Sequence, residues 1–135
     1  MKKTSLLFLF SISLFFGQCK EASTAEKKPE ADKTAQIKFN NTETDIGDIK
    51  GIRANYDFIF HNTGDAPLII SSAGSSCQCV KAVWPQQAVL PGDSAAINVA
   101  LDLSDVAARF IRTLTVQSNA KEPIVVLQLS GEVKK

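Results

Sequence analysis

Apolar and polar side chains alternate along most of the chain after residue 50. In RANYDFIFHN, residues 53–62, Ala54, Tyr56, Phe58 and Phe60 take every second position, and Arg53, Asn55, Asp57, Ile59 and His61 fill the gaps. A strand turns successive side chains to opposite faces, so this period predicts a strand buried on one side with its aromatics inward. NTGD, 62–65, supplies turn residues, and APLIIS, 66–71, reads as a second apolar strand. Pro85 breaks regularity in VWPQQ, 83–87, and LPGD, 90–93, sets Pro ahead of Gly as turns require. In AAINVALDL, Ile97, Val99, Leu101 and Leu103 share a face opposite Asn98 and Asp102. RFIRTLTVQSN alternates Phe110, Leu114 and Val116 with Thr113, Thr115 and Gln117, and Arg112 falls on the apolar phase. PIVVLQLSGEV keeps Val125, Leu127 and Leu129 in phase, while SDVAA, 104–108, is long enough only for a helical turn.

About seven short strands, with turn signals every ~8–15 residues, predict an all-β fold: a single Ig-like antiparallel β-sandwich. The domain is expected over residues 36–135. No cysteine spacing suggests a bridge between sheets, so apolar packing has to hold it, which a domain of this size can manage. Trp84, ahead of Pro85, is expected to cap one end of the sandwich.

The N-terminus follows another logic. Lys2 and Lys3 precede the apolar run TSLLFLFSISLFF, residues 4–16, and Gly17, Gln18 and Cys19 follow. The run falls short of the roughly 20 apolar residues that span a bilayer, and charges follow at once. It reads as an export signal. Cys19 resembles the lipobox cysteine of bacterial lipoproteins, which is diacylated (palmitate-type chains) and becomes the first mature residue; Gln18 is larger than the usual residue before it. Residues 1–18 are then a lipoprotein signal peptide, and two acyl chains on Cys19 give stable membrane anchoring where one chain would not. Cleavage after Ala25, at the small-x-small site made with Ser23, would instead discard Cys19. Residues 19–35 balance lysines against acids, include Pro29 and lack any large apolar side chain, so they read as a disordered tether. Extended, the tether reaches at most ~55–60 Å.

Charge and chemistry narrow the function. A formal net charge of +1 and no basic run argue against nucleic acid as a partner. There is no glycine-rich phosphate loop, and one histidine does not make a catalytic triad, so the chain reads as a non-enzyme. The remaining chemistry is SSCQCV, residues 75–80, with Cys77 and Cys79 one residue apart. In an extended strand their Cα atoms would lie ~6.6 Å apart with parallel Cβ directions, too far for a disulfide without a local bend. Three states fit the sequence: a small disulfide in an oxidising compartment, two reduced and packed thiols, or a redox or soft-metal pair holding copper(I) or zinc. His61, the only histidine, is the one candidate for a weak extra ligand; on the polar phase beside a turn it also reads as an exposed or turn-bonded side chain.

Several stretches share a further pattern. FIFHNTGDAPLII (58–70), SCQCV (76–80), LPGD (90–93), QSN (117–119) and SGEV (130–133), with DIGDIKG (45–51) before them, resemble the bacterial domain-of-unknown-function family numbered 1573, common in exported and lipoprotein sequences. Gln78 stands where that family has Gly between the cysteines, and Val80 where Thr is common. The resemblance implies an Ig-like fold of the PapD-like or Hydin type and brings no established activity or residue role. The expected protein is a lipoprotein of the bacterial cell envelope, periplasmic or surface-exposed, whose domain binds or scaffolds. Its partner would be an envelope protein, a polysaccharide or a host-matrix molecule. The alternative is a thiol redox or metal protein built on Cys77 and Cys79.

Overall fold

The alternating segments become strands that face one another across a shared apolar interior. The structure, a computed structural model, describes residues 32–134. The signal peptide, Cys19 and nearly all of the tether lie outside the described residues. Eight strands follow in order: β1 (Ile37–Phe39), β2 (Glu43–Lys50), β3 (Arg53–Asn62), β4 (Ile70–Gly74), β5 (Val80–Val83), β6 (Ser94–Asp102), β7 (Arg109–Ser118) and β8 (Ile124–Lys134). One sheet has the order β1-β3-β6-β5 and the other β2-β8-β7-β4. The expected all-β sandwich is therefore present, with eight strands instead of about seven. The first sheet is antiparallel throughout, and the second is mixed because β2 runs parallel to β8.

The period of two sets what lies between the sheets. Phe58 and Phe60 of β3, Ile97, Val99 and Leu101 of β6, and Leu114 and Val116 of β7 are buried, while their alternate neighbours face outward. Phe60 stacks obliquely on Phe39 of β1 at a centroid distance of 5.6 Å, and Tyr56 meets Phe58 edge-on at 4.9 Å. Each fully buried large side chain contributes about 1.5–3 kcal/mol relative to exposure. Trp84 packs partly buried against this core.

Two expectations shift and one holds. APLIIS is not one strand: Leu68 bridges Val89 by paired backbone bonds of 2.9 and 2.8 Å, and β4 begins only at Ile70. The segment 104–108 is a turn closed by Val106 N–H donating to Leu103 O at 3.0 Å. Thr34 and Ala35, assigned to the tether by composition, belong to the domain. Ala35 is buried, its carbonyl accepts from Lys121 N–H, and Thr34 O accepts from Asp65 N–H. Small residues give no local sign of such docking, because the partners are distant backbone groups.

Arg112 keeps the inward phase of β7 and is half-buried. Its Nη1 donates to the carbonyl of its neighbour Ile111 at 3.2 Å, but its Nε is buried and has no partner. A buried donor without a partner costs about 1–3 kcal/mol. Arg112→Met keeps the apolar stem and removes that donor, so stability in urea is expected to rise by about 1 kcal/mol. A loss of stability would show that the guanidinium is needed where it lies.

Candidate functional site

The chain leaves β4 at Gly74, opposite Thr115, and must cross from one sheet to the other before β5 starts at Val80. SSCQC makes this crossing. Val80 N–H donates to Cys77 O at 3.2 Å, closing a turn with Gln78 and Cys79 at its centre. That bend brings the two Cα atoms to 5.1 Å, and Cys77 and Cys79 are joined by a disulfide. No non-glycine residue in the described chain has a positive φ, so Gln78 is accommodated without the glycine the family pattern carries there. Its side chain points into solvent, where size is not constrained.

The turn is held independently of the sulfur bond. Asp102 N–H donates to Cys79 O at 2.8 Å, continuing the β5–β6 ladder by one step. Cys77 N–H donates to Ser75 Oγ at 3.3 Å, and Cys79 N–H points at Cys77 Sγ at 3.2 Å. Both cysteines are half-buried. Cys79 also lines an open groove of about 840 Å³ on this flank, with Gln78, Arg53, Lys81, Ala100 and Asp102. The Ser104 backbone N–H and hydroxyl hold the Asp102 carboxyl below the usual carboxylate range, with smaller help from Arg53 and Lys81 against a modest desolvation cost. The groove rim thus carries two cations and one firmly ionised acid.

His61 is not brought to this site. It lies at the far end of β3, paired with Ser94, whereas Arg53 at the other end pairs with Asp102 beside the cysteine turn. Eight residue steps along a strand put roughly 26 Å between them. Both imidazole nitrogens are engaged, Nε2 with Asn40 Oδ1 at 2.9 Å and Nδ1 with Ser94 Oγ at 2.6 Å. The structure therefore corrects His61 as an extra ligand: strand direction carries it away from the sulfurs. With the sulfurs bonded to each other neither is a thiolate, so copper or zinc binding there would require reduction first. Among the described residues, no group of three or more His, Cys, Asp or Glu is placed to hold a metal ion.

Two asparagines, from the NTGD turn and the QSN motif, organise the opposite end. Asn62 is buried, and its Nδ2 donates to Ala66 O at 2.8 Å and Val89 O at 2.9 Å. Its Oδ1 accepts from Gly64 N–H at 3.0 Å and, more weakly, from Gln36 N–H at 3.5 Å. Its own backbone pairs with the LPGD turn, through Asp93 O at 2.9 Å and Gly92 N–H at 2.9 Å. Gly92 has φ 84°, the left-handed region that the second central residue of a type II turn requires. Asn119 mirrors this device: its Oδ1 accepts from Ile69 N–H at 2.8 Å and its Nδ2 donates to Pro67 O at 3.0 Å. One signal for Asn62 was visible. It is the next inward position after Phe60, a polar residue on an apolar phase.

These two asparagines, the Pro-Gly turn and the cysteine crossing are the shared motifs of the sequence, now seen joining non-adjacent segments. No curated protein matches the chain. Among solved structures, a protein of unknown function from Porphyromonas gingivalis W83 superposes with a TM-score of 0.66 at 19% identity, covering 74% of this chain and 47% of that one. This chain thus spans about half the length of that protein. The PapD-like domain 7 of human CEP192 gives a TM-score of 0.57 at 9% identity, covering 76% and 87% of the two chains. The VesB protease of Vibrio cholerae gives 0.57 at 10% identity, over 74% of this chain but only 32% of the protease. At such identities the likeness is one of fold alone, a PapD-like sandwich. With that fold and the match of residues 37–133 to its sequence family, the chain belongs to the family described as "Protein of unknown function (DUF1573)".

Proposed function

We propose that this protein is a cell-envelope lipoprotein whose sandwich is a non-catalytic binding module, held to the membrane through acylated Cys19. The reading of Cys19 and the tether rests on the sequence. The observation that carries the binding role is the outer face of the β7–β8 pair. Ile111, Ile124 and Val126 are each more than half exposed there. Thr113, Thr115 and Gln117 share the face and are exposed. Central strands normally turn charged or polar side chains to water; here charge is confined to one end of the face, where Arg109 lies opposite Glu132, and the partly aliphatic remainder suits a protein partner. A polysaccharide would favour exposed rings for stacking, whereas Phe39, Phe58, Phe60 and Phe110 are buried and Tyr56 and Trp84 are partly buried against the core. The partner is therefore taken to be another envelope protein.

A photo-crosslinking residue at position 126, in the full-length membrane-bound protein, tests this. A discrete protein adduct is expected from position 126 and none from position 98, where Asn98 lies on the outer face of the other sheet, bonded to Asp57 at 2.7 Å. Ile124→Lys, on the same face, should abolish the adduct. Cys19→Ser should release the protein from the membrane fraction. A carbohydrate adduct, or equal crosslinking from both faces, would overturn the protein-partner reading.

A further inference from the structure

We propose that the Cys77–Cys79 disulfide is a thiol-exchange site that accepts two electrons from a dithiol partner approaching through the Arg53–Lys81 groove. Four observations carry this. The bond links residues only two apart in sequence, so it removes little chain entropy compared with a bridge between distant strands. Its neighbours are already tied by the Val80–Cys77 and Asp102–Cys79 backbone bonds, so the crossing is held without it. Cys79 lines the open groove with Arg53 and Lys81 and is only partly buried against the core, so an incoming thiolate can reach this flank of the disulfide beside two cations. Finally, Cys79 N–H already points at Cys77 Sγ. Charge on Cys77 as it leaves would meet a donor in position, and a better-stabilised leaving thiolate leaves faster.

The steps balance as follows. A partner thiolate attacks Cys79 Sγ, the Sγ–Sγ bond breaks, and its electron pair departs on Cys77, which takes up a proton. The partner's second thiol loses its proton and attacks the partner sulfur of the mixed disulfide, expelling Cys79 as a thiolate that is then protonated. The domain ends as a dithiol and the partner as a disulfide, with two electrons and two protons transferred. The backbone bonds keep both sulfurs in one turn, so the reverse oxidation is equally accessible.

Reduction is followed on the full-length protein with dithiothreitol as probe, by maleimide labelling and peptide mapping of residues 77 and 79. Both thiols are expected to appear at least about tenfold faster than global unfolding, with the β-sheet circular dichroism unchanged. In the oxidising direction Cys79 is the attacking sulfur. Cys77→Ser should therefore accumulate a mixed disulfide with glutathione disulfide about tenfold faster than Cys79→Ser does. Reduction only at the rate of global unfolding would overturn the proposal on the wild-type protein alone, whether or not the variants fold. Equal adduct formation by the two variants would overturn the assignment of Cys79 as the attacked sulfur.

Discussion

Asn62→Ala is expected to destabilise the domain by about 3–5 kcal/mol, a large share of the 5–15 kcal/mol typical of small domains. The side chain is buried and ties the 64–66 turn to the segment at residue 89, through Ala66 O, Gly64 N–H and Val89 O. Alanine leaves Ala66 O and Gly64 N–H without that partner, while Val89 O keeps its bond from Leu68 N–H, and each buried group without a partner costs about 1–3 kcal/mol. Urea denaturation followed by tryptophan fluorescence measures the loss, since Trp84 is the only tryptophan. Asn62→Asp sharpens the test. An ionised carboxylate would face the carbonyls of Ala66 and Val89, to which the native amide donates. Burial beside carbonyl oxygens favours the protonated acid, so its folded-state pKa is raised above the unfolded value. The folded state then binds more protons, and this variant should gain stability as pH falls from 7 towards 5, where the wild type changes little. A mild effect of either substitution would show that the asparagine network is not what joins these segments.

Gly64→Ala carries the second large effect. A Cβ at this position would fall on the backbone of residues 34–36: against Thr34 O, 2.5 Å from Gln36 N and 2.8 Å from the Ala35 carbonyl carbon. None of these is a side chain that can swing aside. The segment must move, and with it the bonds from Thr63 N–H to Gln36 O and from Asp65 N–H to Thr34 O, 2.9 and 3.2 Å long. Ala35 then loses its buried seat and β1 its lead-in. Together the strain and the lost bonds are expected to cost about 3 kcal/mol or more. Hydrogen exchange should rise first at residues 34–39 and much less in β6 and β7, because the core strands do not depend on the glycine. Uniform acceleration across all strands would mean that the segment and the core unfold as one unit.

These two residues also show where sequence reading stops. Phe58 and Phe60 announce themselves by alternation, a property of neighbouring positions on one strand. Asn62 obeys the same phase, but its role depends on Ala66, Val89, Gly64 and Gln36, which the alternation does not identify. The cysteine pair was similar. Its spacing showed that a bond needs a bend, yet the bend comes from the need to cross between sheets, which is a fact of topology. His61 and the cysteines all bear ligand atoms, which suggests one site, but the direction of β3 puts them at opposite ends.

Local order thus determined the strands, their inward faces, the Pro-Gly turn and the all-β class, because each depends on steric preferences and solvent exposure repeating every two residues. The sequence also shows an apolar run and a charge-balanced segment ahead of the domain. Tertiary structure alone decided that β2 lies parallel to β8, that residues 34 and 35 dock on the fold, that Asn62 and Asn119 staple one end, and that Cys77 and Cys79 close on each other beside a groove. Those outcomes are contacts between residues far apart in the chain, and they arise only once the sheets have chosen their partners and register.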